Sequence, residues 1–139
     1  MRMLDALASR FDAALALVAR VLMASLFLMA GISQIGDVRG FTERLAADGV
    51  PIVVGGLVFW VLILGGLLLA MGWATRAVAL ALGGFCLVSA LLAYSDFEQA
   101  TDMTMLLKNI ALAGGFGFVF LHGPGAWSID RAIARPSAD

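Results

Sequence analysis

Four long apolar runs dominate the chain, separated by short polar stretches. They cover about residues 13–35, 50–71, 75–94 and 104–121. Each meets the ~20 mostly apolar residues that a helix needs to cross a ~30 Å hydrocarbon layer. The runs are continuous rather than alternating, which argues against membrane strands. Pro51 opens the second run, where a first helical turn tolerates it. His122-Gly123-Pro124-Gly125 closes the fourth. The pattern predicts an all-α, polytopic membrane protein: an antiparallel bundle of four transmembrane helices forming one integral membrane domain over 1–139.

The polar stretches add detail. In residues 1–12, Met3, Leu4, Leu7 and Phe11 share one helical stripe, opposite Arg2, Asp5, Arg10 and Asp12. That spacing predicts a short amphipathic helix at the interface. A cleaved leader fits less well, because Arg20 breaks the apolar core and the segment carries two acids. Gly72-Trp73-Ala74 alone separates the second and third runs, which forces a tight turn. The first loop, Gly36 to Gly49, has room for one or two helical turns around Phe41–Leu45. The third, Ser95 to Met103, is acidic, with Asp96, Glu98 and Asp102.

Composition sharpens the membrane reading. Hydrophobic residues make up 62% of the 139 residues and charged residues 14%, whereas a soluble domain is nearer half apolar and a quarter charged. So small a body cannot hide that excess, so much of it must face lipid. A net charge of -1 gives no reason to expect nucleic-acid binding. The single cysteine, Cys86, forms no internal disulfide or CxxC pair. The single histidine, His122, leaves a bis-histidine haem one ligand short, and no metal site is expected. Basic residues divide unevenly. Arg2, Arg10, Arg76, Arg131 and Arg135 share one side, and Arg39 and Arg44 the other, with Lys108 just inside the fourth run. That bias predicts both termini in the cytoplasm, with the chain in a bacterial inner membrane.

Ionisable residues inside spans carry the functional signal, since each costs roughly 2.5–3.5 kcal/mol at mid-bilayer. Here they are Arg20 and Lys108, with Gln34, Asn109 and His122 nearby. At 100° per residue, Arg20, Ala24, Phe27, Gly31 and Gln34 fall on one line of the first helix. Lys108, Leu112, Gly115, Val119 and His122 do so on the fourth. If the stripes face each other, they frame a slot with polar ends and a small-residue middle. No Asp or Glu lies deep in any span, so the slot is positive. Two readings stand: Arg20 and Lys108 snorkel to headgroups, or they hold an anionic or carbonyl-bearing ligand such as a quinone head. Arg76, after the tight turn, and Asp130 are expected as helix-end anchors. Trp73 and Trp127 are expected as interfacial belt residues.

The ordered set Ala19 to Gln34, Gly49-Val50-Pro51, Gly65-Gly66, Gly72, Thr75-Arg76, Leu107-Lys108-Asn109, Gly114-Gly115, His122-Gly123-Pro124-Gly125 and Trp127-Ser128-Ile129-Asp130 resembles the DoxX family of small four-helix bacterial membrane proteins. The resemblance spans about Ala13 to Arg131. It implies kinship with DoxD, a membrane subunit of thiosulfate:quinone oxidoreductase. Two positions depart from the family pattern. Gln34 stands where a lysine is common, and Leu62 where a glutamate is common, which removes an acid that would partner Arg20. The matching polar positions are Arg20, Arg76, Lys108, Asn109 and Asp130.

The resemblance implies a membrane subunit or docking partner of an oxidoreductase system, with quinone or a small anion as the expected ligand between the first and fourth helices. Its partners would be the bilayer, a soluble oxidoreductase or another membrane subunit, and further copies of itself. Such a chain would be at most a quinone-linked subunit with no cofactor ligands of its own. A structural or assembly protein is the alternative. A small anion transporter is a third reading.

Overall fold

The computed structural model describes residues 2–47, 49–93 and 100–134, and those residues are helical with short connections. Four helices are long and apolar enough to cross a membrane. The first, α1 (Arg2–Ile32), is one unbroken helix of 31 residues. The expected interfacial helix therefore runs directly into the first span. No Gly or Pro precedes Gly31 to interrupt it. At 1.5 Å per residue α1 is ~46 Å long, beyond the ~30 Å hydrocarbon layer, so it tilts or projects.

The polar stretch after α1 forms α2 (Val38–Ala47), longer than the one or two turns expected. Asp37 starts it by accepting the Gly40 amide at 2.9 Å. Thr42 is buried against Gly55, where an added Cβ would come within 3.2 Å of the threonine.

The second span is not a plain α-helix. It comprises α3 (Ile52–Trp60), a π-helical turn (Val61–Gly65) and α4 (Gly66–Met71). Its paired glycines then meet two different neighbours. A Cβ at Gly65 would press on Leu82, and one at Gly66 on Leu28. Both packing contacts depend on small residues, as lipid gives no hydrophobic drive for helix association.

Gly72 ends α4 in the left-handed region at φ 70°, and the chain enters α5 (Thr75–Ala93). α6 (Ala100–His122) completes the spans, and α7 (Ile129–Ile133) is one short turn. The core joins Ala24 and Phe27 of α1, Leu62 and Leu69 of the second span, Leu82 and Cys86 of α5, and Phe116 of α6. Phe27 and Phe116 pack with ring centroids 5.6 Å apart. Large apolar side chains such as Leu22, Met29, Val53, Leu91 and Phe118 point outward. That outward apolar surface is what a lipid-solvated bundle requires.

Candidate functional site

Arg20 lies on the buried face of α1 with Ala24, Phe27 and Gly31, spaced four, three and four residues apart. The stripe expected from the sequence is thus the face that packs. Arg20 itself is 2% exposed. Its guanidinium reaches the α4–α5 turn and the segment after α6. Nη2 donates a hydrogen bond to the Trp127 carbonyl. Nε and Nη1 are buried and have no hydrogen-bond partner among the described residues. A buried charged donor without a partner is expensive, so this pair of atoms is the strongest chemical feature in the fold.

Gly72 makes room for the guanidinium. A Cβ there would collide with Arg20 Nη1 and come 2.6 Å from the Ser128 Cβ. The same glycine needs its positive φ to end α4. Two independent constraints therefore select glycine at one position.

Asp130 ties the C-terminal segment to the turn. Its carboxylate accepts the Ala74 amide at 2.7 Å and the Thr75 amide at 2.8 Å. These are the first amides of α5, which lack intrahelical acceptors. The Asp130 amide donates in turn to the Gly72 carbonyl at 3.0 Å. Ser128 caps α7 by accepting the Arg131 amide at 3.2 Å. Ala74 holds an unusual φ of 48° for a residue with a side chain, and the Asp130 carboxylate grips its amide.

The electrostatics follow from this geometry. Burial acts to raise the Asp130 pKa, but the Thr75 and Ala74 hydrogen bonds and the Arg20 charge outweigh it. The carboxyl is held below its usual range. The Thr75 hydroxyl also favours the carboxylate, although its geometry falls short of a hydrogen bond. Arg20 was expected to lack an acidic neighbour because none lies within a span. The structure corrects this: Asp130 arrives from beyond α6. It acts through its field, and no Arg20–Asp130 ion pair forms within 4 Å.

A cleft of about 160 Å³ opens beside Arg20. It is lined by Ala16, Ala19 and Arg20 of α1, and by Phe118, Val119, His122 and Gly123 at the end of α6. His122 is exposed, and its Nδ1 lies 3.0 Å from the Phe118 carbonyl, an acceptor that places the ring proton on Nδ1. Arg20 and His122 thus border one space, as the two stripes suggested.

The other candidates lie elsewhere. Gln34 sits beyond the far end of α1, accepting from Arg44 at 3.1 Å. Lys108 is exposed, with Nζ 3.1 Å from the Met105 sulfur. Asn109 is buried on α6. Glu98 of the acidic third loop lies outside the described residues, as does Arg135. The single slot spanning both stripes is therefore not assembled; its Arg20–His122 end is. Arg76 is exposed at the start of α5, its guanidinium beside Gly123. Among the described residues no three His, Cys, Asp or Glu gather as a metal site.

Sequence reasoning missed Gly72, Ser128 and Ala74 as parts of this cluster, and the reach of Asp130 into it. One signal was available: the first amides of α5 have no intrahelical acceptor, so a side chain or water must supply one, and Asp130 is an acid outside the spans.

Known proteins share this framework. Residues 15–95 match the DoxX family model, a stretch that includes Arg20, Gly72 and Thr75 but not Asp130. Inner membrane protein YqjF of Escherichia coli (strain K12) is 40% identical over 119 residues, covering 86% of this chain and 92% of that protein. Inner membrane protein YphA of the same organism is 26% identical over 124 residues, covering 84% of this chain and 89% of that protein. No solved structure matches the chain at a significant level.

Proposed function

The chain belongs to the DoxX family of membrane proteins, and from that premise we propose that it is a membrane subunit of a redox assembly that binds a quinone head or small anion beside Arg20. One observation carries the reading: a buried guanidinium with two unpartnered nitrogen donors, at the edge of a cleft between α1 and α6. Such donors fit a carbonyl or anionic oxygen. Outward-facing apolar side chains around the cleft, including Phe118, would accommodate a lipid-soluble ligand. Lys108 and Asn109 stand apart from this site.

A bound quinone would supply the electron chemistry, while the chain's residues bind and orient. Arg20 would donate to the ligand oxygen. His122, with Nε2 free of the Phe118 contact, would border its entrance. Nη1 abuts Gly72 and Nη2 holds the Trp127 carbonyl as the chain stands, so binding would shift the α4–α5 turn or that carbonyl away from Arg20. The unequal basic residues would place this end of the bundle in the cytoplasm, within an inner membrane like that of the two relatives. There a soluble oxidoreductase would dock.

The test uses purified protein in mild detergent with a short-chain ubiquinone. Wild type is expected to melt higher with ligand and to change its Trp127 fluorescence. Arg20→Met, which keeps length but removes the donors, should show neither effect. His122→Ala should weaken both without disturbing α1. An equal response in Arg20→Met, or none in wild type, would sink the proposal.

A second reading rests on the Arg20–Trp127 hydrogen bond. Arg20 would then be an internal fastening in an assembly protein. That protein would associate through the small-residue cleft of Gly83, Gly84 and Gly117 between α5 and α6. It predicts that Arg20→Met costs about 2 kcal/mol and that no quinone protects.

A further inference from the structure

Two depressions flank the α4–α5 turn. One, of about 400 Å³, is lined by Thr75, Arg76, Asp130, Arg131 and Ala134 among others. The other, of about 320 Å³, is lined by Asp12, Arg76, His122, Gly125 and Arg131 among others. Arg76, Pro124 and Arg131 border both. The two arginines therefore stand between adjoining hollows, one from the first turn of α5 and one from α7.

Neither arginine is in an ion pair among the described residues; Arg39–Glu43 and Arg44–Asp37 are the pairs formed, at the other end of the bundle. The acids nearby do not cancel them. Asp130 is committed to the α5 amides and to the Arg20 charge. Asp12 lines only the second hollow and lies beyond ion-pair distance of both arginines. Arg76 is also positioned rather than free. Its guanidinium lies over Gly123, where an added Cβ would stand 3.4 Å from Nη2. Gly125, which lines the second hollow, holds positive φ, as does Gly123 nearby.

The surroundings select the ligand. Trp73 and Trp127 are exposed on the flanking segments, as are Leu121 and Ile133. Exposed tryptophan beside exposed aliphatic residues marks the level of lipid headgroups. The Ala74 and Thr75 amides are already taken by Asp130, so the two arginines supply the charge that would hold an anion.

We infer that Arg76 and Arg131 form a two-pronged site for the phosphate of an acidic phospholipid, seated between the C-terminal segment and the α4–α5 turn. The guanidinium forks suit phosphate oxygens, and basic pockets between spans at this depth bind such headgroups. The site adjoins the Arg20 cleft, with His122 lining both spaces, but its arginines are not part of that cleft, and it stands whether or not a quinone binds there.

The experiment is competition between brominated phosphatidylglycerol and brominated phosphatidylcholine in vesicles, read as quenching of tryptophan fluorescence. Wild type should prefer the anionic lipid by roughly 25-fold, about fivefold for each arginine. Arg76→Gln with Arg131→Gln should bring that preference near unity. Arg10→Gln, which removes an exposed charge from the same end of α1, should leave it intact. Equal affinity for the two lipids in wild type would overturn the inference. So would a preference that survives the double substitution, or one lost equally with Arg10→Gln. Millimolar inorganic phosphate should not displace the lipid; if it does so fully, the site takes a soluble anion and the lipid assignment fails.

Discussion

The two ends of the bundle both gather charged and polar side chains, yet they use them differently. At the α2 end, Arg39 pairs with Glu43 at 2.8 Å and Arg44 with Asp37 at 3.2 Å. All four side chains are more than half exposed. Water screens such pairs, and exposed ion pairs contribute little. At the α4–α5 end, Arg20 is buried, and Asp130 caps α5 from 55 residues away. Here each buried polar group either has a specific partner or is unsatisfied at a cost. The lesson is that burial, rather than the number of charges, decides which end holds the fold in place.

The sharpest way to break this contrast is Gly72→Ala. It forces a Cβ into the Arg20 guanidinium and strains a positive φ. The expected loss is about 3 kcal/mol, read as denaturant or thermal unfolding in detergent. An unchanged midpoint would show that the buried end is looser than described.

Asp130→Asn should have the next largest effect. It removes a charged acceptor from two amides, a loss of about 1–2 kcal/mol. The carboxyl's pKa is depressed in the folded chain. Its stabilisation is therefore complete above the unfolded value of about 3.9 and fades as pH falls through the lower folded value. Wild type should thus lose protection of the 123–134 segment in acid, while Asp130→Asn should have little left to lose. Amide hydrogen exchange at Ala74 and Thr75 reports on this directly. Identical acid profiles in the two proteins would count against the cap.

The smallest effect belongs to the exposed end. Arg39→Ala and Arg44→Ala together should leave the unfolding midpoint unmoved and insensitive to salt. A clear drop would mean that the two ends are energetically alike, and the comparison would collapse.

Much of this architecture was legible beforehand. The four spans follow from run length alone, because the hydrocarbon thickness fixes how many apolar residues are needed. The buried stripe through Arg20, Ala24, Phe27 and Gly31 follows from helical periodicity. The family was legible in the order of small motifs. The Arg20–Asp130 relation was not, because nothing local links residues so distant in the chain. The continuity of α1 was obscured by a change in polarity that implies no backbone break. The single slot failed for a geometric reason: one line on a helix extends over its whole length. Gln34 lies 14 residues beyond Arg20, ~21 Å along the axis.

The π-helical turn was also unreadable, since Val61–Gly65 has the composition of any apolar helix. Its consequence concerns phase. One surplus residue in a helix rotates everything downstream by about 100°. Before the turn, Gly55 addresses Thr42; its last residue, Gly65, addresses Leu82, and Gly66 just after it addresses Leu28. Deleting a single codon within Val61–Gly65 would therefore relax the segment to ordinary winding and swing α4 off its azimuth. Gly72 would then be delivered to the wrong side of Arg20, although every downstream residue kept its identity.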